Sequence, residues 1–199
     1  MQRRNIFLGA LIVLMTNACG DNAAAPKPPE PFAVKAVAAN ISDANSDATR
    51  MQCGTIEFPK PAAWQWVKPT AQFRTLQYRV PGAHGDAELI VSAFASGDGG
   101  GVQPNIERWQ NQFRAADGSP AVAQQSEVVI NGMQVTRVNL AGAFKGMGQQ
   151  QGTPGTAQLG VIVQAAQQTI FIRLIGPQAT VDQARADFER MVLGVKLQS

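Results

Sequence analysis

Residues 87–116, AELIVSAFASGDGGGVQPNIERWQNQFRAA, decide the fold. Within 87–95, Leu89, Val91 and Ala93 alternate with Ile90 and Phe94, so both faces of this strand are apolar and each needs a covering layer. The glycine run Gly97-Asp98-Gly99-Gly100-Gly101 ends the strand. Beyond it, Ile106, Trp109, Phe113 and Ala116 recur at helical spacing, which predicts an amphipathic helix with Asn105 as its cap and Glu107 suited to the helix dipole. A central strand followed by a covering helix implies a layered domain.

Working outward toward the carboxyl terminus, residues 127–130 and 133–140 flank Asn131-Gly132, the pair that best tolerates the positive φ of a two-residue hairpin turn. Residues 143–156, AFKGMGQQQGTPGT, are rich in Gly and Gln and predict a mobile surface loop. Residues 159–165 and 169–175 predict a further antiparallel pair around Gln167-Gln168, apolar on both faces. Thr180-Val181-Asp182-Gln183 then opens a second helix in the capping-box pattern, with Val181, Ala184, Phe188 and Met191 along one stripe and Gly194 at its end.

Toward the amino terminus, residues 73–80 predict a strand with Leu76, Tyr78 and Val80 on one side and Arg74 in the same register, followed by a turn at 81–86. Residues 53–58 predict a first short strand stopped by Pro59 and Pro61. Trp64 is expected as a lid on the sheet, and Trp66, two residues on, is expected to point outward. The sum is an α+β domain over residues 51–199, a mainly antiparallel sheet covered by helices on both faces.

Residues 1–18 carry Arg3 and Arg4, an apolar run over 6–15 and a small residue, Ala18, before Cys19. That is the three-part form of a secretory signal, and the run is too short for a permanent membrane span. The segment resembles a bacterial lipoprotein signal, which implies cleavage between Ala18 and Cys19 and acylation of the Cys19 thiol. Ordinary cleavage after Ala18, giving a secreted or periplasmic soluble protein, is the alternative, because Thr16 and Ala18 also form a small-x-small site. Residues 19–50 combine the lipidated cysteine with a Pro-, Ala-, Asn- and Asp-rich spacer that lacks a sustained apolar period. Without Arg3 and Arg4 the chain holds 15 basic and 14 acidic residues with no basic run, which argues against a nucleic-acid partner.

Candidate chemistry is sparse. His84 is the single histidine, so histidine-based zinc signatures are absent, and no G-x-S-x-G accompanies it. Cys53 reads as a small buried apolar group, or as a disulfide partner of Cys19 if Cys19 is not acylated. The glycine run lacks the Lys-Ser/Thr ending of a phosphate loop. The candidate binding residues are Trp66, in a patch with Tyr78 or with the 143–156 loop, and Arg74, His84 and Arg108, which can converge on an anion.

The order of elements, with Trp64, Arg74 and NIERWQNQF over residues 105–113, resembles a group of bacterial envelope lipoproteins, and at greater distance the Mog1/PsbP-like fold. The resemblance covers residues 51–197 and implies a binding or assembly module, without a cofactor or metal and without a transferable catalytic residue. The expectation is a non-enzymatic module moored by lipid on the periplasmic side of the inner or outer membrane, with an envelope protein as partner. The alternative is a small-ligand, anion-binding or hydrolytic domain with a cleft near residues 97–101.

Overall fold

The computed structural model describes residues 40–198. The signal segment, Ala18, Cys19 and the first part of the spacer lie outside the described residues. The chain runs β1 (Arg50–Cys53), β2 (Ile56–Pro59), β3 (Gln65–Trp66), β4 (Leu76–Val80), β5 (Ala87–Ala95), α1 (Val102–Asn111), β6 (Phe113–Arg114), β7 (Gln124–Ile130), β8 (Met133–Phe144), β9 (Thr153–Gln164), β10 (Gln168–Pro177), α2 (Gln178–Leu193) and β11 (Lys196–Leu197). An eight-stranded sheet follows the order β3-β4-β5-β10-β9-β8-β6 with β7 also on β8, and a small sheet follows β1-β2-β11. Every ladder is antiparallel.

Strand β5 sits inside the sheet, as its two apolar faces require. Leu89 and Val91 enter a core with Val181, Phe188 and Met191 of α2 and with Met51, Ile56 and Phe58 of the small sheet. Ile90 and Phe94 pack into a second core with Ile106 and Trp109 of α1. The helices therefore cover opposite faces of one sheet, an α+β sandwich. The β7–β8 hairpin turns at Asn131 (φ 49°) and Gly132 (φ 78°), the double left-handed turn that these residue types predict.

Several local expectations are corrected. Helix α1 starts at Val102 and ends at Asn111, so Phe113 is buried on β6 opposite Phe144 and Ala116 is exposed beyond the helix. Asn105 is no cap. It lies inside the helix, and its amide donates to the Gly99 and Gly101 carbonyls at 2.7 and 2.6 Å. Thr180 likewise lies within α2 and its hydroxyl donates to the Gly85 carbonyl at 2.7 Å, which fastens the helix to the 81–86 turn instead of closing a capping box. Residues 53–58 do not form one strand but straddle the β1–β2 hairpin, whose turn uses Gly54 at φ 64°. Much of the 143–156 loop is ladder, because β8 runs to Phe144 and β9 begins at Thr153, with a register shift between Gly142 and Phe144. The strand expected over 73–80 starts at Leu76, since Phe73 takes φ 65°.

The folded unit also begins earlier than residue 51. The Ser42 amide donates to Gln52 O at 3.0 Å, the Gln52 amide donates to Ser42 Oγ at 2.8 Å, and Ile41 bridges Cys53. Asp43 accepts from the Asn45 amide and the Ser46 hydroxyl, and Asp47 from the amide and hydroxyl of Thr49. These bonds hold both carboxyls below the ordinary range. Lys60 clamps the segment: its buried ammonium donates to the carbonyls of Ala48, of Trp64 at 2.9 Å and of Pro61 at 3.3 Å, over the Tyr78 ring at 4.9 Å.

Two stability outcomes follow from this packing. Trp109 is 1 % exposed, and a Cβ added at Gly160 would lie 2.8 Å from its ring and 2.9 Å from the Val138 carbonyl. Trp109→Ala is expected to cost about 3–5 kcal/mol and Gly160→Ala about 1–3 kcal/mol in denaturant unfolding, and a wild-type midpoint for either contradicts the packing. Lys60→Met keeps the apolar stem but removes the donors; a loss of about 2 kcal/mol with faster proteolytic cutting in 40–49 is expected, and unchanged cutting contradicts the clamp.

Candidate functional site

Registers across the large sheet place Gln77, Ile90, Arg173, Gly160 and Val138 in one row over β4, β5, β10, β9 and β8. Because Gly160 has no side chain, the Trp109 ring of α1 settles onto the row there. Arg173, next to it, extends its guanidinium 5.4 Å from the Trp109 ring centroid and 6.0 Å from that of Phe144. Its Nε donates to Gln158 Oε1 and its Nη2 to Gln112 Oε1, both at 2.7 Å. Among the described residues no carboxylate pairs with it, so its charge is held by amide oxygens and ring faces alone. Burial pushes the guanidinium down to about 9, with the positive charges of Arg108 and Arg74 adding to the effect, which leaves it protonated at neutral pH.

Of the three residues expected to converge, Arg108 and Arg74 lie near enough to Arg173 for their charges to act on it. Arg108 donates to Asn105 Oδ1, and Asn105 in turn grips the glycine run, so the loop sets the arginine. The run serves this end structurally: Gly97, Gly99, Gly100 and Gly101 all have positive φ, and a Cβ at Gly99 would strike the Phe94 and Phe171 rings. Arg74 donates to Gln77 Oε1 at 2.8 Å and pairs with Glu88 at 3.4 Å. His84 does not join them; it stays exposed on the 81–86 turn. Arg173, Gln112 and Gln158 escaped the sequence reading. The signal was an arginine amid TIFIRLIG, a charge in a strand otherwise apolar on both faces.

Helix α1 lies against β6 and β8 and leaves the β4–β5 side of this face half covered. Ile90, Ser92 and Phe94 stay partly exposed there. Phe73, 56 % exposed, stacks on Phe94 with ring centroids 6.2 Å apart. The result is an apolar strip bordered by Arg74, Arg173 and Arg108.

The expected aromatic patch is not on this face. Trp66 and Tyr78 are directly opposed across β3 and β4, but Tyr78 is 2 % exposed and Trp66 packs on the α2-side core instead of pointing outward. Burial pushes the Tyr78 hydroxyl up to about 12. The 143–156 loop joins β8 to β9, at the opposite end of the sheet order from β3, so it cannot share a patch with Trp66. Trp64 is buried, as a lid should be. A recess of about 230 Å³ does lie beside these aromatics, under Asp43, Ser46 and Asp47, and a wider one of about 640 Å³ lies between Pro59, Lys60 and the end of α2. Neither is at the glycine run. Cys53 is fully buried, with its thiol pushed up to about 12 by burial, while His84 is exposed; they make no nucleophile and base pair. Among the described residues, no group of three His, Cys, Asp or Glu side chains is placed to hold a metal ion, and no helix is long and apolar enough to cross a membrane.

No protein-family model and no curated protein matches the chain. Among solved structures, the cyanobacterial PsbP (CyanoP) of Synechocystis sp. PCC 6803 is similar at TM-score 0.51 and 13% identity, over 78% of this chain and 96% of that one. A Pseudomonas aeruginosa protein of unknown function, PA94, is similar at TM-score 0.47 and 13% identity, over 76% of this chain and 97% of that one. The likeness to PsbP, with the antiparallel sheet and its two helices, shows an α+β, PsbP-like fold.

Proposed function

We propose that the chain is a membrane-tethered, extracytoplasmic binding or assembly module of the bacterial envelope and not an enzyme. The observation that carries this reading is the half-covered sheet face, where Phe73, Ile90 and Phe94 form an apolar strip edged by three arginines. A short helix covering only part of a broad face leaves room for a partner. The dispersal of His84 and Cys53 supports binding over hydrolysis. Cys19 supplies the mooring, and roughly twenty residues separate it from Asn40, enough for an extended reach on the order of 70 Å. The periplasmic side of the inner or outer membrane is the setting of this reading.

Radiolabelled palmitate is expected to enter the wild-type chain in the membrane fraction, and Cys19→Ser is expected to be unlabelled and released. Equal labelling of both, or of neither, contradicts the tether. Pull-down from gently solubilised envelope is expected to recover a reproducible partner that is lost with Phe73→Asp. No reproducible partner contradicts the module.

A further inference from the structure

The Arg173 cluster has a donor surplus. Gln158 Oε1 and Gln112 Oε1 are both committed to Arg173, and Asn105 Oδ1 is committed to Arg108. On the other side of the count, Trp109 Nε1 and Gln158 Nε2 are buried with no acceptor, in residues 1 % and 0 % exposed. A guanidinium offers five N–H donors, and Arg173 spends two of them on the amides. The N–H groups that Arg173 has left over, at the partly exposed edge of the cluster, are therefore placed to meet an acceptor from solvent. Ordinary structural pairing would have put a carboxylate here, yet Glu88, on the neighbouring strand β5, is engaged by Arg74 and Gln77.

We propose that Arg173, Arg108 and Arg74, on the half-covered face beside Trp109, form a binding site for the oxyanion group, carboxylate or phosphate, of a small ligand. The inference rests on the binding-module reading and names the chemistry its arginine-edged face recognises. Arg173 keeps partial exposure and Arg108 is exposed, so an anion reaches the cluster from solvent without opening the core. Its oxygens take the unspent guanidinium N–H groups in charge-assisted bonds and neutralise the charges of Arg173 and Arg108, which no carboxylate pairs among the described residues, while Arg74 stays paired with Glu88. The adjoining strip of Ile90, Phe94 and Phe73 receives the apolar part of such a ligand. Asn105 is a positioning residue, since it ties Arg108 to the glycine run.

The test is an NMR titration of the ¹⁵N-labelled full chain in non-ionic detergent with inorganic phosphate, with citrate, and with potassium chloride at matched ionic strength. The three indole N–H resonances make the readout local, because Trp109 adjoins the cluster while Trp64 and Trp66 pack in the opposite core. A saturable shift of the Trp109 indole with Trp64 and Trp66 unmoved is expected. Response to phosphate alone identifies a phosphate-type ligand, and response to citrate alone a carboxylate-type one. Arg108→Gln, an exposed change that leaves the core intact, is expected to weaken the response about tenfold, and Arg173→Lys to weaken it further. No saturable shift with either anion, an equal shift with chloride, or an unchanged affinity in Arg108→Gln overturns the site. A failed palmitate labelling leaves this titration untouched, and a flat titration leaves the tether standing.

Discussion

The structure depends on one constraint: the central strands β5, β10 and β9 are apolar on both faces, so neither face can be left to water. Helix α2 and the small sheet satisfy one side with Phe188, Met191, Phe58 and Ile56. The other side is harder to cover, because α1 has only ten residues. It succeeds by bringing one large ring, Trp109, down onto Gly160, where the missing side chain admits it. A single aromatic then does the covering that a longer helix would otherwise share among several side chains.

That economy shapes the site. A short helix lying over β6 and β8 covers β5 only in part, so the sheet there keeps an apolar strip at the surface. Arg173 stands at the border between covered and uncovered sheet. Its guanidinium lies along the Trp109 and Phe144 rings, and two glutamines take its donors. Amide oxygens orient a half-buried cation without cancelling its charge, so the field of Arg173 persists and adds to that of Arg108.

The layers were legible in the sequence because they are written in periodicity. Strand β5, the Asn131-Gly132 hairpin and the α2 stripe all follow from spacing and turn chemistry. What escaped was order supported by polar side chains. Residues 40–49 read as spacer because they bury little, yet Asp43, Asp47 and Ser42 fix the backbone by local hydrogen bonds and Lys60 fastens it from afar. Asn105 and Thr180 carry cap chemistry but spend it on loop carbonyls. Phe113 kept helical spacing with Trp109 although the helix ends at Asn111, since one residue on a short β6 strand reaches the same core. Of the site, Arg74 and Arg108 were visible as charges near the right elements. Arg173 was hidden by its apolar neighbours, and its role depends on cross-strand register that no local pattern encodes.

The central claim is that Trp109 seats on Gly160, on the face of the sheet opposite α2. Nuclear Overhauser contacts of the Trp109 ring measure it most directly. The account predicts strong cross-peaks from the ring to the Gly160 α-protons and to Phe171, whose ring centroid lies 6.4 Å away, and none to Phe188. A Trp109 ring with no contact to Gly160, or with contacts to Leu89 and Phe188, would contradict it.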